Sequence, residues 1–152
     1  MFTVTLPVAP RDRAVPVASA PSSAETIMSR RGKILVIDDE PLMLSMLERA
    51  LHLHSITSCS NARAALELCR DESFDVILCD VMMPGLNGWE FHHMLSELRP
   101  GMEHRVAFIT GGALLDDVRE LLGQVSNRTF EKPFDLNELR AFVAEVVDQN
   151  DD

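Results

Sequence analysis

Apolar residues in this chain fall into two kinds of run, and they alternate. Ile34-Leu35-Val36-Ile37 is a continuous apolar run rich in β-branched residues, as expected of a strand buried on both faces. Asp38-Asp39-Glu40-Pro41 ends it and opens a helix, because acidic residues and Pro suit a first helical turn. Met43, Leu47, Ala50 and Leu51 then recur at helical spacing. The cycle repeats. Ser55–Ser58 is predicted as a second strand and Asn61–Cys69 as a second helix, with Ala62, Ala65, Leu66 and Cys69 on one stripe. Asp75–Cys79 is a third strand, stopped at Asp80. The turn-rich segment Met83-Pro84-Gly85-Leu86-Asn87-Gly88 leads into a helix over Trp89–Leu98, which Pro100-Gly101 ends. Arg105–Thr110 and Leu114–Leu122 are the fourth strand and helix, separated by Gly111-Gly112. Thr129–Glu131 is a short fifth strand, and Leu136, Leu139, Phe142, Val143 and Val146 mark an amphipathic fifth helix that starts at Asp135. Strict strand–helix alternation predicts an α/β domain: a five-stranded parallel sheet with five helices on both its faces, spanning 32–149.

The front of the chain breaks the pattern. Phe2, Val4 and Leu6 alternate with Thr, as in a strand, but nothing nearby offers a partner. Residues 7–31 hold Pro7, Pro10, Pro16 and Pro21 with no hydrophobic period, which is linker composition. Residues 1–31 are therefore expected to be a strand remnant and tether, and 150–152 a short tail.

Composition narrows the function classes. The 152 residues carry 24 acidic and 14 basic side chains, a formal net charge of −10. With its basic residues scattered, the chain is not expected to bind nucleic acid. No apolar run is long enough to cross a membrane, and the first ten residues lack the Lys or Arg of a secretory signal, so no membrane contact and a cytoplasmic setting are expected. The three cysteines, Cys59, Cys69 and Cys79, show no metal spacing and read as small apolar core fillers in a reducing compartment. The five histidines include no HExxH, and the adjacent His92 and His93 are expected on a solvated helix face.

The strand ends carry the chemistry. In a parallel α/β sheet, ligands bind at the carboxyl ends of the strands, where the strand order reverses. Here those ends hold Asp38 and Asp39, Asp80, Thr110 and Lys132. Clustered carboxylates repel unless a cation intervenes. Mg²⁺ fits, since it takes oxygen ligands and tolerates a phosphate in its shell; Mn²⁺ is the alternative. With the cation bound, one carboxylate could attack phosphorus and form an aspartyl phosphate. Lys132 and the Thr110 hydroxyl would then neutralise and orient the phosphoryl oxygens. The Lys132–Pro133 bond is a candidate for the cis form.

Four blocks agree in order and spacing with a known family. Ile34-Leu35-Val36-Ile37-Asp38-Asp39-Glu40, Asp80-Val81-Met82-Met83-Pro84-Gly85-Leu86-Asn87-Gly88, Phe108-Ile109-Thr110-Gly111 and Glu131-Lys132-Pro133-Phe134 resemble the receiver domain of two-component response regulators over about residues 32–149. The resemblance implies a flavodoxin-like (CheY-like) fold. It implies that Asp80 takes a phosphoryl group from a phosphohistidine. It implies that Asp39, Asp80 and the backbone carbonyl of Met82 ligate Mg²⁺, with Asp38 acting through water. Thr110 would contact the phosphoryl group and Lys132 would pair with it, so that the domain catalyses its own phosphorylation and dephosphorylation. One departure stands out. Many receivers carry an aromatic residue three positions before the Lys, and here that position is Thr129. An inward-turning aromatic switch is therefore not expected, while Gly111-Gly112-Ala113 should leave the loop after Thr110 mobile.

The flanks suggest a larger parent. Phe2-Thr3-Val4-Thr5-Leu6-Pro7 resembles the last strand of the ATP-binding domain of sensor histidine kinases. With a linker and a receiver following, the chain is expected to be the C-terminal receiver of a hybrid histidine kinase. The donor is then a phosphohistidine domain, in the same parent chain or another, and a histidine phosphotransfer protein is a further candidate partner. The alternative is a stand-alone response regulator that acts by docking. None of the five His residues is followed by Asp or Glu, so the chain itself has no kinase phosphoacceptor box. An aspartyl-phosphate phosphohydrolase would want an Asp where Met82 stands, and a nucleotide or flavin binder would want a Gly-rich first loop.

Overall fold

The computed structural model describes residues 31–111 and 116–150. The expected strand of Phe2, Val4 and Leu6, the Pro-rich tether up to Arg30, and the loop of Gly112 and Ala113 lie outside the described residues. The described residues form five strands: β1 (Lys33–Ile37), β2 (Ser55–Cys59), β3 (Val76–Asp80), β4 (Val106–Thr110) and β5 (Thr129–Glu131). Five α-helices alternate with them among the described residues: α1 (Pro41–Ala50), α2 (Ala62–Asp71), α3 (Gly88–Leu98), α4 (Asp116–Gly123) and α5 (Leu136–Gln149), with a 3-10 turn over Met102–Arg105.

All pairings are parallel, in the order β2-β1-β3-β4-β5. This is the flavodoxin-like arrangement. The chain steps outward from β1 to β2, then returns across β1 to β3. The reversal therefore falls between β1 and β3, which pair Ile37 with Cys79 at their carboxyl ends. Their continuous apolar sequences follow from this position. Every residue of β3 and β4 is buried, as are Ile34–Ile37 of β1, whereas the edge strands β2 and β5 expose some of their side chains. Central strands have helices on both faces; edge strands have a partner on one side only.

Two apolar layers result. Leu35, Ile37, Ile77, Cys79 and Phe108 face α2, α3 and α4 through Ala65, Leu66, Phe91, Leu95 and Leu122. Ile34, Val36, Leu78, Ala107 and Ile109 face α1 and α5 through Leu47, Leu139, Val143 and Val147. All three cysteines are buried and free, as the fillers they were expected to be. Truncating a fully buried Phe108 to Ala in such a layer would cost about 3–5 kcal/mol. No helix among the described residues is long and apolar enough to cross a membrane.

One expectation fails. His92 is buried, not solvated. The core-facing residues of α3 are Gly88, Phe91, His92 and Leu95, a stripe wide enough to take both Phe91 and its neighbour. The His92 ring stacks on Trp89 with centroids 5.6 Å apart and packs against Phe108 at 5.5 Å. His93, one step round the helix, is exposed and lies 3.4 Å from Glu97.

Candidate functional site

Each strand end delivers its side chain by a local device. After β1, the Asp38 amide donates to the Cys59 carbonyl at 3.1 Å, which carries the sheet ladder one residue further. Asp38 Oδ1 in turn accepts the Glu40 amide at 2.8 Å, and Pro41 starts α1 at once. After β3, Asp80 Oδ1 accepts the Met82 amide at 3.2 Å, while the Val81 amide donates to the Ile109 carbonyl at 2.9 Å. The loop between β3 and α3 closes tightly. The Gly88 amide donates to the Val81 carbonyl at 3.0 Å, and a Cβ at Gly88 would stand 2.7 Å from the Asp80 carbonyl oxygen. Only glycine fits there. Gly85 supplies the turn, with φ at +81°, and Asn87 and Glu90 form a capping box on α3. Finally the Lys132 amide donates to the Thr110 carbonyl at 2.7 Å, bringing the end of β5 beside the end of β4. The Lys132–Pro133 peptide is cis.

These devices gather the residues expected from the sequence. One carboxylate oxygen from each of Asp38, Asp39 and Asp80 lies within 4.8 Å of the others. Asp38 and Asp80 are 1% and 3% exposed, while Asp39 is open to solvent. Lys132 Nζ stands 3.6 Å from Asp38 Oδ2 and 3.9 Å from Asp80 Oδ2. Thr110 is buried at the end of β4. The Met82 side chain is exposed and carries no acidic or amide group that could face the cluster. Thr129 is also exposed; with Thr110, Arg119, Leu122 and Glu131 it lines an open cleft of about 420 Å³. No aromatic ring fills that cleft from position 129. Glu40 is the residue that sequence reasoning passed over. It read only as a helix-start acid, yet its Oε1 lies 3.4 Å from Lys132 Nζ. The two are 92 positions apart, so only tertiary structure reveals the contact.

The electrostatics are those of a half-neutralised anionic pocket. Burial pushes the Asp80 carboxyl up to about 6; the Asp38 charge adds to this, and Lys132 and the Met82 amide oppose it. Burial also raises Asp38, against the pull of the Glu40 amide and Lys132. For Lys132, burial acts downward, but Asp80, Asp38 and Glu40 outweigh it and hold the ammonium above its usual range. One ammonium thus serves two buried acids and one exposed one. Asp38 Oδ2 is buried with no hydrogen-bond partner. An oxygen atom with unused lone pairs, two further carboxylates within reach and an open side at Asp39 fit a hard divalent cation with water in its shell.

Comparisons with known proteins agree with this geometry. Residues 34–144 match the response regulator receiver domain family. The chain is 34% identical over 112 residues to the transcriptional regulatory protein TcrA of Mycobacterium tuberculosis, an alignment covering 72% of this chain and 43% of that protein. It is 26% identical over 137 residues to the sensor histidine kinase GacS of Pseudomonas protegens, covering 87% of this chain and 15% of the kinase. Among solved structures it is similar to the receiver domain of a sensor histidine kinase from Pseudomonas aeruginosa PAO1, which holds a magnesium ion in its active site cleft. That match has a TM-score of 0.65 at 23% identity and covers 78% of this chain and 99% of the other. The aligned segment thus spans less than half of TcrA and a still smaller part of GacS.

Proposed function

The chain belongs to the response regulator receiver domain family of two-component signalling, and we propose that Asp80 is its phosphoacceptor. The observation that carries this reading is the convergence of Asp38, Asp39 and Asp80 within 4.8 Å, with Lys132 reaching the same point. In the proposed reaction a carboxylate oxygen of Asp80 attacks the phosphorus of a phosphohistidine. An O–P bond forms, the N–P bond breaks, and the leaving imidazole takes a proton. Asp80 must be ionised to attack, and a carboxyl held at about 6 is largely ionised at neutral pH. Lys132, kept charged by its acidic neighbours, neutralises an oxygen of the incoming phosphoryl group, and the Thr110 hydroxyl orients another. Asp39, Asp80 and the Met82 carbonyl would hold Mg²⁺ or Mn²⁺, with Asp38 behind them. The bound ion would screen the acids from the phosphoryl charge.

The donor is proposed to be the phosphohistidine of a histidine kinase, with a histidine phosphotransfer protein as a second partner, in the cytoplasm. Placement inside a hybrid sensor kinase is the favoured setting. The GacS alignment supports it, because at 87% of the chain it must extend beyond the 34–144 family match. On this reading residues 1–31 are a tether between kinase and receiver. A regulator separate from its kinase is the other setting; the likeness to TcrA is compatible with that. Sequencing the reading frame upstream of Met1 separates the two. Incubation with acetyl phosphate and Mg²⁺ tests the core proposal: one phosphoryl group should be gained by intact mass and lost in Asp80→Asn. Labelling of Asp38 or Asp39 instead would overturn it.

A further inference from the structure

Lys132 has three acidic neighbours, and the nearest is not one of the buried pair. Its Nζ lies 3.4 Å from Glu40 Oε1, against 3.6 Å from Asp38 Oδ2 and 3.9 Å from Asp80 Oδ2. The neighbours also differ in depth. The side chains of Asp38 and Asp80 are 1% and 5% exposed, that of Lys132 is 21% and that of Glu40 is 63%. The ammonium is therefore shared among all three acids, and the nearest of them is the one open to solvent.

We infer that Glu40 is a positioning residue for Lys132: it parks the ammonium at the outer edge and competes with an incoming phosphoryl group for it. The inference rests on the proposed role of Lys132 in neutralising that group. Two features make Glu40 suited to the task. Its backbone is pinned, because its amide donates to Asp38 Oδ1 at 2.8 Å. Its side chain is not, because it makes no capping bond to α1 and is mostly in water. An exposed ion pair of this kind is weak, worth about 1 kcal/mol or less, so it can be surrendered when a doubly charged phosphoryl group arrives. Asp38 and Asp80 cannot hold the lysine in the same way, since both are needed for the cation and the acceptor. Glu40 thus sets how freely Lys132 reaches inward.

The consequence is a gain of rate when the contact is lost. At saturating Mg²⁺, initial labelling by acetyl phosphate should rise about two- to fivefold in Glu40→Gln, the change an exposed pair of this strength allows. Removing a negative charge from the pocket mouth could raise the rate without involving Lys132. Glu40→Asp separates the two causes. It keeps the charge but retreats by one methylene, so it should be faster than wild type as well. In a Lys132→Ala background, Glu40→Gln should add nothing to whatever rate remains. A role confined to stability would lower the rate or leave it unchanged, and would not produce a gain. Wild-type rates in both Glu40 variants overturn the inference, as does a gain in Glu40→Gln alone or an equal gain in the Lys132→Ala background. Those results leave the assignment of Asp80 standing, whereas full labelling of Asp80→Asn removes both.

Discussion

Among the described residues, carboxyl and imidazole side chains are buried at two places, and they behave in opposite ways. At the rim between β1 and β3, Asp38 and Asp80 lie beside a cation, two backbone amides and an open mouth formed by Asp39 and Glu40. On the other side of the sheet, His92 of α3 lies between the rings of Trp89 and Phe108. Its Nε2 is buried with no hydrogen bond of standard geometry, although Asn127 and Glu103 oppose the downward shift that burial imposes on its pKa. Burial favours the neutral form at both places. At the rim a lysine, a second buried acid and an open mouth converge, so there a proton or a cation can be exchanged for something else. A perturbed side chain becomes a site when its neighbours offer it an alternative partner; enclosure alone yields a core residue.

The sharpest way to break this contrast is to remove the acceptor. Asp80→Asn should abolish labelling by acetyl phosphate, a loss of at least about a hundredfold, because an amide is no nucleophile toward phosphorus. Excess chelator should have the same effect on the unaltered protein. Mass spectrometry reads both. Next in size is the cation. Asp39→Ala should weaken Mg²⁺ binding about tenfold or more by titration calorimetry, because the exposed ligand of the cluster is lost. His92→Phe, remote from the rim, should leave it unchanged.

The comparison can also be read as two stability curves of opposite sign. Asp80 has a folded pKa of about 6 against 3.8 for the free side chain. Its ionised form is therefore disfavoured by folding at all pH values above about 6, and that penalty fades as pH falls from 6 toward 3.8. In chelator at pH 7.5, Asp80→Asn should be more stable than the unaltered protein by roughly 1–3 kcal/mol, and the gain should vanish near pH 4. His92 runs the other way. Its folded pKa lies below 6.5, so the unfolded chain binds the proton first and stability is lost as pH drops below about 6.5. His92→Phe should flatten that loss, because the proton the unfolded chain takes up is no longer there to bind. Urea unfolding between pH 4.5 and 8 measures both. Equal slopes in the two variants would erase the distinction drawn here.

Most of the fold was legible because it is written in local runs. The three central strands are nearly pure apolar segments, and β1, β3 and β4 fall within a residue of where those runs predict them. The rim was legible for a related reason. In a parallel sheet every strand points the same way, so the residue after each run lands on one edge, and Asp38, Asp39, Asp80, Thr110 and Lys132 needed no further information to be grouped. Their roles came from resemblance to a family, not from spacing. What stayed hidden was lateral. The helical period of α3 gives the direction of its apolar stripe but not its width, and width decided the fate of His92. Contact between Glu40 and Lys132 depends on how β5 ends beside α1, which no local pattern encodes.

The neck of the loop after Asp80 has a bearing on how this domain could diversify. Val81 is bonded on both sides, its amide to Ile109 and its carbonyl to Gly88, and the backbone at Gly88 leaves no room for a single methyl group. The segment from Met82 to Asn87 is thus a closed purse, drawn shut at Val81 and Gly88. Its exposed side chains, Met82 and Pro84, can be exchanged without moving the string. Randomising the exposed Met82 and Pro84, with Met83, Gly85, Asn87 and Gly88 kept, should yield many folded chains that differ in what they show to a partner, all with the same carboxylate fixed beneath.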